Sequence, residues 1–324
     1  LNDIENDQPE QMDDAAPGSH DPAALTPTTT RAGFVALIGA PNAGKSTLIN
    51  QLVGTKVSIV THKVQTTRAL VRGIAMHGPA QIIFVDTPGI FKPKRRLDRA
   101  MVDTAWGGSR DADVTALLID ARKGLTEEVE AILDRLAGEK GLKVLILNKT
   151  DVANREKLLK LAVAANEKVT FEKTFMVSAL TGDGVADILS YFADKVRPGP
   201  WLYPEDQVSD APMRMLAAEI TREKLFERLH EEIPYVSTVE TELWEERKDG
   251  SVRLEQTIYV ERDSQKAIVL GKKGQTIKVI SQAARTELTE IVERPVHLFL
   301  FVKVRENWSD DPERYREMGL EFPR

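Results

Sequence analysis

The chain has 324 residues, 42% hydrophobic and 29% charged, an ordinary globular composition with room for about two domains. With no cysteine, disulfides and thiolate metal sites are excluded, and no apolar run approaches the roughly 18 residues of a spanning helix. A net charge of −6 argues against wholesale electrostatic binding of nucleic acid but allows a local basic patch.

Residues 1–31 carry Asp3, Glu5, Asp7, Glu10, Asp13, Asp14 and Asp21, no Lys or Arg before Arg31, four prolines and a Thr-rich stretch. Such a segment buries too little apolar surface to offset its ordering entropy, so a disordered acidic tail is expected. Its acidic start is unlike the basic opening of a secretory signal, and a cytoplasmic location follows.

A short apolar run, Phe34-Val-Ala-Leu-Ile38, leads into GAPNAGKS at residues 39–46, and a helix-periodic run from Thr47 to Val53 leaves it. This is a phosphate-binding loop between strand and helix. Gly39 and Gly44 let the backbone of Ala40, Pro41, Asn42 and Ala43 curl with its N–H groups inward on a polyphosphate. The helix entered at Lys45, Ser46 and Thr47 aims its positive end at the same phosphates. Lys45 is expected to reach the β- and γ-phosphates, and Ser46 to offer its hydroxyl to Mg²⁺.

Beyond a polar stretch, the runs 69–76 and 81–85 read as an antiparallel pair joined at His77-Gly-Pro79. The runs 114–119, 143–147 and 174–177 alternate with helical segments. The expected fold is α/β: a mostly parallel six-stranded sheet with helices on both faces, ligands lying beyond the carboxyl ends of its strands. Chemistry does fall there. Asp86-Thr87-Pro88-Gly89 supplies an acid for Mg²⁺ and a glycine that lets a backbone N–H approach a γ-phosphate. Asn148-Lys149-Thr150-Asp151 supplies a carboxylate that accepts both guanine N1–H and N2–H₂, selecting GTP over ATP. Asn148 either holds the base edge or ties its loop to the phosphate loop, and the stem of Lys149 covers the base plane. Ser178-Ala179-Leu180 offers a backbone N–H to guanine O6.

Together these loops make residues 32–197 resemble the G domain of translational-class small GTPases, and Val64-Gln-Thr-Thr-Arg68 resembles the switch I of the Era family. In that family a threonine here meets Mg²⁺ and the γ-phosphate, which implies Thr67 rather than Thr66, so the resemblance implies Ser46, Thr67 and Asp86 as the metal residues. Many GTPases carry a water-orienting glutamine after Asp-x-x-Gly; here Ile90 stands instead, as in the Era family, and slow hydrolysis is expected. Some relatives hold K⁺ with the asparagine matching Asn42, which either ligates that ion here or only shapes the loop. Lys45, Thr67, Gly89 and Asn42 are thus the residues expected to act in GTP hydrolysis.

Prolines across 198–212 suggest an extended linker. Residues 213–310 then read as α-β-β-α-α-β, with Gly271-Lys272-Lys273-Gly274 between the last two helices. That order resembles a type II KH domain, whose G-x-x-G loop clamps nucleic acid. Lys266, Lys272, Lys273, Lys278 and Arg285 give a local positive surface with no acid among residues 264–286. With Gly271, Gly274 and Gln275, these are the expected RNA contacts. The pairing of the two domains, and runs such as Glu231-Glu-Ile-Pro-Tyr235, identify a member of the Era family across about 33–310; Ser281, where the family commonly has glycine, is a departure. The resemblance implies a monomeric GTPase that binds GTP and GDP, uses Mg²⁺, and binds the 3′ end of 16S rRNA during 30S ribosomal subunit assembly, with peripheral inner-membrane association as a further implication. A scaffolding GTPase whose KH-like domain binds protein is the alternative. Residues 311–324 are expected to be a C-terminal tail.

Overall fold

The computed structural model describes residues 29–323; the expected acidic tail lies almost wholly outside them. The first body is one sheet in the order β2-β3-β1-β4-β5-β6. Its strands are β1 (Arg31–Gly39), β2 (Val71–His77), β3 (Ala80–Asp86), β4 (Val114–Asp120), β5 (Leu142–Asn148) and β6 (Lys173–Val177). Only the β2–β3 pair is antiparallel among the six. A two-residue strand, β7 (Arg197–Pro198), adds a seventh beside β1. Val35, Ala36, Leu37 and Ile38 are fully buried, as a central strand covered on both faces requires. The helices are α1 (Lys45–Val53), α2 (Arg96–Asp111), α3 (Glu127–Gly138), α4 (Arg155–Lys168) and α5 (Val185–Lys195). One core packs α1 and α5 against one face of the sheet; the other packs α2, α3 and α4 against the opposite face.

The second body is a three-stranded sheet, β10-β9-β8, built from β8 (Thr238–Glu246), β9 (Val252–Val260) and β10 (Val296–Val304). It is covered by α6 (Met213–Arg228), α7 (Asp263–Leu270) and α8 (Gln275–Val292). β8 and β9 form the hairpin, while β9 and β10 run parallel, so the crossover between them must be α7 and α8. The loop Gly271–Gly274 therefore sits between two packed helices.

Two segments differ from the reading as linker and tail. Residues 198–212 are fastened along the exposed edge of β2: Ile74 N donates to Val208 O at 2.9 Å, and Arg72 pairs with Asp210 at 2.7 Å. This pairing covers an edge that would otherwise present unpaired backbone groups. Near the C-terminus, α9 (Pro312–Glu317) packs on α2. Trp308, Tyr315 and Leu320 are buried there with Leu97 and Met101. Apolar side chains spread through a charged segment show no clear helical period, yet two large aromatics suffice to anchor it.

Candidate functional site: a nucleotide pocket and a basic loop

The strand ends converge as the pattern of runs requires. Lys45 lies at the start of α1, and its Nζ donates to the carbonyls of Gly39 (3.1 Å) and Ala40 (3.2 Å). Gly44, at φ 100°, has no alternative: a Cβ there would lie 2.2 Å from Asn148 Nδ2. Burial pulls the Lys45 ammonium down to about 8, with the Asp86 carboxylate opposing.

Asp86 ends β3 fully buried. Its Oδ2 accepts hydrogen bonds from Ser46 Oγ (2.7 Å), Ser58 Oγ (2.7 Å) and Thr67 Oγ1 (3.4 Å), and Ser46 and Thr67 lie 3.0 Å apart. Thr66 points elsewhere, bonding Thr61 Oγ1 and Lys63 O. Asp86 Oδ1 is buried without a hydrogen-bond partner among the described residues. Burial pushes the Asp86 carboxyl up, while Lys45 and the hydroxyls pull it down. A carboxylate with a spare oxygen beside two hydroxyls is a hard-oxygen donor set that fits Mg²⁺. Ser58 was not foreseen; no spacing rule marks a lone serine in a polar loop.

The Asn148 side chain bridges two loops. Nδ2 donates to Ala43 O at 2.9 Å, and Oδ1 accepts from Ala179 N at 2.9 Å, so its amide ties the phosphate loop to the loop of Ser178-Ala179-Leu180. Lys149 Nζ reaches Asn42 O (2.6 Å) and Asp120 Oδ2 (2.9 Å). Asp120, at the end of β4, escaped sequence reading although an acid at a strand end was the available signal. Asp151 and Leu180 are both exposed. Thr87 Oγ1 donates to Leu37 O at 2.7 Å, and Ile90 N to Gly39 O at 3.0 Å, placing Pro88 and Gly89 against the phosphate loop. Ile90 itself is buried in the core. Asn42, at φ 62°, donates from Nδ2 to His62 O at 2.8 Å, leaving its Oδ1 to face other groups.

The second site is the basic loop. Lys272, Lys273, Gln275, Lys278 and Arg285 are exposed, and Lys266 is half-buried. Ile268 and Val279, missed in the sequence, are 50% and 46% exposed on the two helices that flank the loop. Each stands next to a buried residue, Val269 or Ile280, one step off the core stripe of its helix. Bases stacked on such apolar patches would lose water while their phosphates meet the lysines.

The two sites are joined by the segment 56–68. Lys56 pairs with Glu223 (2.6 Å) and with Glu287. Ile59 is buried among Ala217, Ile220 and Leu288. Lys63 Nζ donates to the carbonyls of Phe226 and Leu229, and Arg68 to those of Pro234 (3.2 Å) and Tyr235 (3.2 Å). Thr67, at the metal-type donors, thus adjoins a residue held by the second domain.

A strand-bound phosphate loop, a guanine-type loop tied to it, and a helix-flanked G-x-x-G module define a P-loop GTPase carrying a KH domain. A family model described as 50S ribosome-binding GTPase matches residues 34–149, and a KH domain model matches 232–309. The GTPase Era of Rhizobium meliloti is 70% identical over 295 residues, covering 91% of this chain and 94% of that protein. Two solved Era structures superpose with a TM-score of 0.84 at 37% identity, each covering 90% of this chain and 99% of its own. One is an Aquifex aeolicus Era variant bound to GDP·AlF4⁻; the other is an Era in complex with MgGDPNP and nucleotides 1506–1542 of 16S ribosomal RNA. The chain belongs to the Era family of GTPases.

Proposed function

We propose that this GTPase binds the single-stranded 3′ end of 16S rRNA through its KH domain and acts in 30S subunit assembly, with its nucleotide state governing the RNA grip. The carrying observation is the end of the run 56–68, where Thr67 bonds Ser46 and Asp86 while its neighbour Arg68 is fastened to the KH backbone. A γ-phosphate that draws Thr67 toward it would pull on that fastening. By linkage, RNA should tighten GTP binding by the same factor.

Mg²⁺ would be held by Ser46, Thr67 and Asp86, where it neutralises charge on the β- and γ-phosphates. Lys45 and the inward backbone of residues 39–46 orient those phosphates, and Gly89 approaches the γ-phosphate. Asp151 reads the guanine, and a backbone N–H of the Ser178-Ala179-Leu180 loop other than Ala179 N, which donates to Asn148 Oδ1, meets its O6. Ile90 offers no hydrogen bond to water, so intrinsic turnover is slow. K⁺ at Asn42 would add positive charge near the transferring phosphoryl group. The lysines of the Gly271–Gly274 loop, with Lys266, Lys278 and Arg285, would meet RNA phosphates. We place the protein in the cytoplasm as a monomer; among the described residues no helix is long and apolar enough to cross a membrane.

Filter binding of an oligoribonucleotide carrying the 16S 3′ end tests this reading. Lys272→Asp with Lys273→Asp should abolish retention and leave GTP affinity unchanged. Retention that survives the double change would instead favour a KH domain that binds protein.

A further inference from the structure

A cavity of about 250 Å³ lies in the seam between the domains, bounded by α6, β8 and the end of the 56–69 segment. Among the described residues four arginines line it, Arg68, Arg214, Arg222 and Arg314, with two acids, Glu219 and Glu240. Both carboxylates are already engaged: Arg222 pairs with Glu219, and Arg314 with Glu240. Arg68 and Arg214 donate to backbone carbonyls and have no salt-bridging carboxylate among the described residues. Among the described residues the lining therefore holds two more arginines than carboxylates. Arg222 is only 1% exposed, and its Nη1 is a buried donor with no hydrogen-bond partner among the described residues. A buried donor in that state is unfavourable, the more so when it is charged.

We propose that this seam cavity is a binding site for a tetrahedral oxyanion of the inorganic phosphate class, received by Arg222 Nη1 and balanced by the uncompensated charge of Arg68 and Arg214. Guanidinium forks suit such an ion better than any neutral occupant, because they present charged, directed donors to its oxygens. The site also has a mechanical address. Arg222 Nη2 donates to Thr66 O, so the residue that receives the anion also holds the backbone beside Thr67. An occupied site stitches the 56–68 segment to α6 more firmly. Burial and the neighbouring Arg222 charge already pull the Arg68 guanidinium down to about 9, the direction expected where positive charge is crowded.

The test uses the full chain loaded with a slow GTP analogue and Mg²⁺, so that the γ-phosphate position is filled and added anion has no access to the phosphate loop. Crystals soaked in selenate, a tetrahedral dianion with an anomalous signal, should show a peak within hydrogen-bonding distance of Arg222 Nη1. In solution, sodium phosphate should raise Tm by about 2 °C over sodium chloride at matched ionic strength. That rise should vanish in Arg222→Gln and in Ala218→Leu, which fills the cavity and leaves all four guanidiniums in place. A map with only water at Nη1, or an equal Tm rise in wild type and folded variants, overturns the proposal. Should neither variant fold, the wild-type selenate map decides alone.

Discussion

Arg68 Nη1 donates to the carbonyl of Ser237 at 2.9 Å, a bond between a residue adjoining Thr67 and the start of the KH sheet. The same guanidinium lies 5.9 Å from the Phe226 ring centroid and 5.7 Å from that of Trp308. It is a planar cation seated between two aromatics and three carbonyls, a niche that lysine cannot fill. Arg68→Ala should destabilise the protein by about 3 kcal/mol in urea unfolding, because buried carbonyls lose a charged donor. Arg68→Lys should recover little of that. In both variants the ratio of RNA affinities with a slow GTP analogue and with GDP should fall toward one, measured at fixed salt. A ratio that stays at the wild-type value would mean that nucleotide state reaches the KH domain by another route.

In the proposed function guanine selection falls to Asp151, which is exposed. A carboxylate accepts from both N1–H and N2–H₂; an amide matches the 2-oxo group of xanthine instead. Asp151→Asn should weaken GTP binding roughly 100-fold, the loss of about 3 kcal/mol from two charge-assisted hydrogen bonds. Affinity for XTP should rise in the same variant. Fluorescent nucleotide competition reads both changes.

Lys45 predicts a proton linkage. Burial holds its ammonium at about 8 against an ordinary 10.5. Polyphosphate beside it favours the charged form and raises that value. In the window between about 8 and 10, free protein is largely deprotonated at Lys45 and bound protein protonated, so binding takes up a proton. GDP affinity should therefore fall as pH rises through 8. At pH 8.5, calorimetry in two buffers of different ionisation enthalpy should show uptake of roughly half a proton or more, absent in Lys45→Met.

Much of the nucleotide site was legible because its parts occur at fixed offsets at the ends of apolar runs: Gly39 to Ser46 from the end of β1, Asp86 at the end of β3, Asn148 at the end of β5. Each strand delivers its loop to the same edge, so order in the chain becomes proximity in space. What the chain did not reveal depends on contacts between distant segments. Ser58 meets Asp86 only because its loop folds back, and Asp120 reaches the phosphate loop through Lys149, which also bonds Asn42 O. Arg68 stood inside a recognised motif, but its partners lie near residue 235 and carry no sequence signature, being backbone carbonyls. Trp308 and Tyr315 were hidden for a related reason. Their apolar partners, Leu97 and Met101, lie on a helix more than 200 residues away.

Asn42 gives a prediction in salt. Its Nδ2 is committed to His62 O, which turns the amide so that Oδ1 is the side free to meet a cation. If K⁺ completes the charge around the transferring phosphoryl group, GTP turnover should be faster in KCl than in NaCl at equal ionic strength. Asn42→Ala should erase the difference while GDP affinity stays within a few-fold. Equal turnover in the two salts with wild-type protein would leave Asn42 as a loop-shaping residue alone.

The two glycines of the basic loop should behave differently, and the contrast tests the clamp. Gly271 has φ 70° and ψ 175°, a region essentially restricted to glycine, and a Cβ there would lie 2.1 Å from Thr276 Oγ1. Gly274 has φ 74° and ψ 14°, ordinary left-handed backbone, with nothing within 4 Å of an added Cβ. Gly271→Ala should cost about 1–3 kcal/mol locally and force the loop open. Gly274→Ala should cost about 1–2 kcal/mol, from the left-handed backbone alone, with the loop's path kept. RNA affinity should therefore drop steeply in Gly271→Ala and mildly in Gly274→Ala, while GTP affinity is unchanged in both. Because the lysines remain in each variant, a steep loss in the first must come from backbone placement rather than charge. Equal, small losses in the two would show that the loop binds RNA by charge alone and that its backbone path is immaterial.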